Sequence, residues 1–253
     1  MFMLNRSQQI ACISHDHHIH ECVAGVGGEW QQANLTILTG APRTTRRFLV
    51  GYAWPEGGTR QVPYLGPEGH LHELNVTVGG GWQRVDLTIL AGAPPVTQVT
   101  TGYSWSVGHS KQVALVGDDD HIHELSVEKG QPWQHIDLTA LTNAPLPASK
   151  RMVGYEWLEG RSKQVAFVSE EGHIHELVLV AGNAWQQVDL TERALAPITP
   201  VMSIDGYAWS TNSSKQVAYV GNDGDIRQLW MPLGGPWAYE DLSRMVRTLP
   251  VRI

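Results

Sequence analysis

Charge is scarce in this chain, and positive charge is scarcer still. Only 17% of the 253 residues are charged, and 18 Lys and Arg face 25 Asp and Glu, for a net charge of −7. Lys and Arg form no long run. Binding phosphates needs a basic face, so nucleic acid and anionic membranes are poor partners. Neutral ligands such as sugars remain open. Long apolar runs are missing too: none approaches the roughly 18 residues that span a bilayer. The opening MFMLNRSQQIACI has no basic start, no long apolar stretch and no cleavage site, and it leads straight into repeat sequence. The expectation is a protein made without a classical signal peptide, cytoplasmic or exported by another route, and not inserted in a membrane. Cysteine is limited to Cys12 and Cys22. They replace Leu115 and Leu125 of another copy of the repeat, and so read as buried small hydrophobes. A cross-strand disulfide is the alternative. Nothing near them repeats as the base of a catalytic thiol.

What the chain has is glycine (26) and tryptophan (10), the profile of many short strands joined by tight turns. The tryptophans are periodic. Four segments open with Gly-Tyr-x-Trp: Gly51–Trp54, Gly102–Trp105, Gly154–Trp157 and Gly206–Trp209. A second series, Trp30, Trp82, Trp133, Trp185 and Trp237, is spaced by 52, 51, 52 and 52 residues. There are thus five copies, the first without its opening, at roughly 1–45, 46–97, 98–148, 149–200 and 201–253. Each copy carries four β-like pieces, as in MVGYEW, KQVAFVS, HIHELVLV and WQQVDLT. Turn sequences such as Gly66–Gly69 and Gly221–Gly224 join the second piece to the third. No segment shows a sustained helical period. Four-stranded units recurring at about 40–50 residues predict an all-β protein: a single five-bladed β-propeller of four-stranded antiparallel blades over 1–253.

A propeller leaves two sheet edges open unless its ends join. In full copies the first Trp stands seven residues before a Gln of the second strand, as in Trp105 and Gln112. The same frame puts Phe2 at the Trp position of the first copy, before Gln9. The chain then runs on past Leu242. The expectation is that Leu249–Ile253 pairs with the shortened first strand and closes the ring.

The run Gly-His-Ile-His-Glu-Leu, then Trp, then Asp-Leu-Thr, resembles the repeats of bacterial propeller lectins, the fucose-binding ones among them. The resemblance covers nearly the whole chain. It implies pockets between adjacent blades that take monosaccharide units. In the fucose-binding group an Arg of the second strand and a Glu of the third hold the sugar. The Arg position holds Gln61, Gln112, Gln164 and Gln216 here, with Gln9 in the first copy. The Glu position is kept as Glu21, Glu73, Glu124 and Glu176, and becomes Gln228 in the last.

Candidate ligand-binding residues are therefore these Gln and Glu, the second His of each pair (His20, His72, His123 and His175), and Trp30, Trp82, Trp133, Trp185 and Trp237. Amides, carboxylates and imidazoles suit sugar hydroxyls, and an indole suits the apolar sugar face. Each residue also has a structural reading: packing between blades for the Trp, local hydrogen bonding for the His. Trp54, Trp105, Trp157 and Trp209 read as closing the inner core. The His-x-His pairs, led by His18, His70, His121 and His173, put two imidazoles on one strand face and could hold zinc or copper. No third ligand repeats at a clear partner position, so no metal and no cofactor is expected. The fifth copy departs, reading Asp225-Ile226-Arg227-Gln228. Equal polar sets in every copy favour multivalent binding over catalysis. The function expected is a multivalent lectin for glycans or glycoconjugates, and not an enzyme. A metal-dependent enzyme using the His pairs and a protein-interaction propeller are the alternatives.

Overall fold

The computed structural model describes residues 2–4, 7–45, 49–198 and 200–246. Five four-stranded sheets built of antiparallel hairpins follow one another, each with its strands side by side in chain order. The first holds β1 (Phe2–Leu4), β2 (Ser7–Ile13), β3 (Ile19–Gly25) and β4 (Gln31–Asn34). The second holds β5 (Tyr52–Trp54), β6 (Thr59–Leu65), β7 (Leu71–Thr77) and β8 (Gln83–Asp86). The third holds β9 (Val96–Trp105), β10 (Ser110–Gly117), β11 (Ile122–Glu128) and β12 (Gln134–Asp137). The fourth holds β13 (Pro147–Trp157), β14 (Ser162–Ser169), β15 (Ile174–Val180) and β16 (Gln186–Asp189). The fifth holds β17 (Val201–Trp209), β18 (Ser214–Gly221), β19 (Ile226–Pro232) and β20 (Ala238–Asp241). Packing groups them into two compact units, residues 1–119 with 123–136 and residues 120–122 with 137–253. No described helix is long and apolar enough to cross a membrane.

Each fourth strand ends in one turn of helix that the sequence reading does not anticipate: α1 (Leu35–Thr39), α2 (Leu87–Ala91), α3 (Leu138–Thr142), α4 (Leu190–Arg193) and α5 (Leu242–Val246). Four or five residues are too few to show a helical period. The Asp-Leu-Thr motif builds the turn. Asp86 Oδ1 accepts from Ile89 N at 3.0 Å as N-cap, Leu87 is buried, and Thr88 Oγ1 accepts from Leu71 N at 2.8 Å. The fourth copy repeats it with Asp189, Leu190 and Thr191, whose Oγ1 accepts from Ile174 N at 2.8 Å. One tripeptide thus ends the fourth strand and ties it to the start of the third. The β2–β3 hairpin and its equivalents need one left-handed residue each, found at His17, Gly69, Asp120, Gly172 and Gly224, with φ of 66°, 79°, 61°, 84° and 81°.

Apolar side chains on alternate strand positions meet between neighbouring sheets of a unit. Tyr52, Leu71 and Leu87 pack with Val113, Leu115 and Leu125. Ile19 and Leu35 pack with Val62, Tyr64 and Leu74. In the second unit Tyr155, Ile174 and Leu190 pack with Val217, Tyr219 and Leu229. In the third and fifth copies the glycine of Gly-Tyr-x-Trp lies on the tyrosine of the preceding copy. A Cβ on Gly102 would stand 2.4 Å from the Tyr52 ring, and one on Gly206 2.6 Å from the Tyr155 ring. Only glycine lets the two inner strands come that close.

Three expectations are corrected. Phe2 pairs with Gln9 and Leu4 with Ser7, so Phe2 takes the register place of Tyr52, which pairs with Gln61. Only two residues separate the strands there, whereas four separate Trp54 from Thr59. Trp209 is 53% exposed, unlike Trp54 and Trp157, which are buried. Cys12 is an exposed free thiol, and Cys22 is half-buried and free. Leu249–Ile253 lies outside the described residues.

Candidate functional site

In the second, third and fifth copies the second strand points a cation at the third strand of the copy before it. Arg60 Nε and Nη2 donate to Glu21 Oε1 and Oε2 at 3.0 and 3.2 Å. Lys111 Nζ donates to Glu73 at 2.5 Å, and Lys215 Nζ to Glu176 at 2.5 Å. Each carboxylate has a further donor. Trp82 Nε1 donates to Glu21 at 3.2 Å, and the hydroxyls of Tyr52 and Tyr155 donate to Glu73 and Glu176 at 3.1 and 2.9 Å. Tyr103 donates likewise to Glu124 at 2.6 Å. Indoles close over the cation. Lys111 lies 5.8 Å from the Trp54 ring and 5.1 Å from that of Trp133, and Lys215 lies 5.5 Å from Trp157 and 5.0 Å from Trp237. Arg60 faces Trp82 at 5.3 Å and Lys163 faces Trp185 at 5.1 Å.

Electrostatics follow from burial. The Glu73 carboxyl is pushed up by desolvation, against the pull of Lys111 and Tyr52. Tyr52, Tyr103 and Tyr155 are held protonated, well above the usual phenol range, first by burial and then by the charge of the Glu beside each. Glu73, Glu124 and Glu176 are fully enclosed, and their oxygens already accept from within the protein. A sugar reaching Glu73 or Glu176 has to displace an ion pair.

The other expected residues are placed as follows. Gln61, Gln112, Gln164 and Gln216 are buried. Their amides donate to the hydroxyl two residues earlier, as in Gln112 to Ser110 at 2.5 Å and Gln216 to Ser214 at 2.6 Å, while each Oε1 has no protein partner. His72 and His123 are buried and bond through Nε2 to the hairpin acids Glu68 and Asp119. His20 and His175 take an amide of the fourth strand at Nδ1, from Gln32 at 3.0 Å and Gln187 at 2.6 Å. Burial holds the His175 imidazole below its usual range and keeps it neutral. In the fifth copy Arg227 replaces this His and is paired with Asp223.

A third group does stand beside the His pairs. Asp86, Asp137 and Asp189 meet the leading histidines, His70, His121 and His173, at 2.8, 2.8 and 2.6 Å. The separation is sixteen residues each time. The aspartate sits on the neighbouring strand, where its second oxygen caps the helix turn, so linear inspection reads it only as the end of a strand. The cation was missed in the same way: Arg60, Lys111, Lys163 and Lys215 each precede the expected Gln by one residue and face the other side.

One copy differs. Where the others carry Arg60, Lys111, Lys163 and Lys215, the first carries Gln8, which is exposed. Trp30 is 52% exposed, while the four other tryptophans of its series are half-buried. Gln8, Trp30 and the turn Ala24–Gly28 line an open cavity of about 550 Å³. Glycine at 25, 27 and 28 leaves its wall without side chains, and Val26 stands exposed at its rim.

No family model and no curated protein matches the sequence. Solved structures do match. The BP39L lectin of Burkholderia pseudomallei superposes with a TM-score of 0.73 at 12% identity, over 94% of this chain and 68% of that one. A six-bladed fungal lectin from Aleuria aurantia gives 0.60 at 14% identity, over 97% and 78%. AofleA of Arthrobotrys oligospora gives 0.59 at 19% identity, over 95% and 72%. The fold is that of the β-propeller lectins. At these identities the likeness is one of architecture, and the side chains of each site have to be argued from this chain alone.

Proposed function

We propose that this chain is a carbohydrate-binding protein, a lectin and not an enzyme, built as one ring of five blades. The observation that carries the reading is Trp30: a half-exposed indole beside a roomy cavity lined by an amide and glycine backbone. Such a surface offers an apolar platform and neutral hydrogen-bonding groups, the combination a sugar ring takes up. The lectin fold of its structural neighbours supports the same reading, and one of them is described with a mode of fucose recognition. The repeated tryptophans, Trp82, Trp133, Trp185 and Trp237, support more than one site. Those sites are weaker, because an Arg or Lys already covers one face of the indole.

The repeat supports a ring of five. Its carboxylate position changes to Gln228 in the last copy, and its cation position changes to Gln8 in the first. Both departures fall in the terminal copies, where a ring has to close.

A glycan array with the untagged chain tests the function, followed by calorimetry of the best ligand on Trp30→Ala. Saturable glycan binding that weakens about tenfold or more, roughly 1.4 kcal/mol, supports the proposal. An array without binding overturns the lectin reading. Unchanged affinity in Trp30→Ala overturns the placement.

A further inference from the structure

The His-x-His pairs remain without a role in sugar binding, and the fourth copy gathers one of them with its aspartate. His173, His175 and Asp189 each offer a ligand atom, all within 4.8 Å of one another. We propose that this cluster is a binding site for a divalent first-row transition ion of the zinc or copper kind. Two imidazoles and one carboxylate match the donor preference of those ions and are poor for calcium or magnesium.

The surroundings hold the three groups in place. Asp189 Oδ1 is spent on the helix turn, accepting from Glu192 N at 2.9 Å, which leaves Oδ2 turned to His173 at 2.6 Å. His175 is fixed by Gln187 at 2.6 Å and by Phe167, whose ring lies 5.4 Å away and nearly parallel. The two imidazoles are themselves stacked, 6.1 Å apart with 20° between planes. His173 and Asp189 are partly exposed, so an ion has a way in.

Within the repeat the cluster with two imidazoles is that of the fourth copy. The second copy sets Glu68 with His72 and Asp86, and the third sets Asp119 with His121 and Asp137, one imidazole each. The first copy has Asn34 in place of the aspartate, and the fifth has Asp225 and Arg227 in place of both histidines. A guanidinium cannot be a ligand.

The experiment uses the full chain without a His-tag, stripped with a chelator and titrated with Cu(II) or Zn(II). Binding is followed by calorimetry, and the Cu(II) form by electron paramagnetic resonance. Two variants are compared with wild type: His173→Ala, and Asp189→Asn. The second keeps the helix cap, because Asn34 caps α1 in the same way, with Oδ1 accepting from Ile37 N at 3.0 Å. Nitrogen-coupled Cu(II) bound by wild type, with one equivalent lost or weakened at least tenfold in both variants, supports the site. No binding to wild type overturns it. So do an unchanged stoichiometry and spectrum in Asp189→Asn, which remains decisive if His173→Ala does not fold. Glycan binding is measured separately, so its failure leaves this result intact.

Discussion

Lys111 is buried among three partners: the Glu73 carboxylate and the faces of Trp54 and Trp133. An exposed pair of the same kind contributes little, but breaking an enclosed one strands its partner. Lys111→Met fills similar space without the charge and leaves Glu73 enclosed and unpaired. The expected loss is about 3–5 kcal/mol in chemical denaturation. Adding Glu73→Gln to Lys111→Met should restore a large part, because the remaining group is then neutral. A single variant as stable as wild type would show that the pair adds nothing to the packing. This lysine was not legible as a partner of Glu73: the two are 38 residues apart, and only the stacking of one copy on the next brings them together.

The elements were more legible than their ends. Valine, tyrosine and tryptophan at alternate positions marked the strands, and the Gly-Tyr-x-Trp spacing fixed how often they recur. The helix turns escaped because a single turn has no period, and the place of Phe2 was misread because hairpin length cannot be counted from residues that have no copy elsewhere. Asp-Leu-Thr was visible as a motif, yet its work is tertiary. Thr191 Oγ1 is the acceptor for the buried Ile174 N–H, seventeen residues away. Thr191→Val should leave that donor unsatisfied, at about 1–3 kcal/mol. Hydrogen exchange at the Ile174 amide should then accelerate, while Thr191→Ser should keep the wild-type rate. Equal exchange in Val and Ser variants would remove the hydroxyl from the account.

At the scale of the molecule, five copies of one unit are alike in plan and unequal in chemistry. The positions of the glutamates, histidines and tryptophans were all readable from the repeat, but not their occupation, because whether a carboxylate is open or already paired depends on the neighbouring copy. That occupation also decides how the chain meets reagents. Lys111, Lys163 and Lys215 are buried, and Lys129 is the described lysine that stands exposed. Among the lysines whose side chains are described, acylation of the folded protein by amine-directed labels is thereby steered to Lys129, far along the sequence from Trp30, and spares the buried Lys111 and Lys215 that join one sheet to the next.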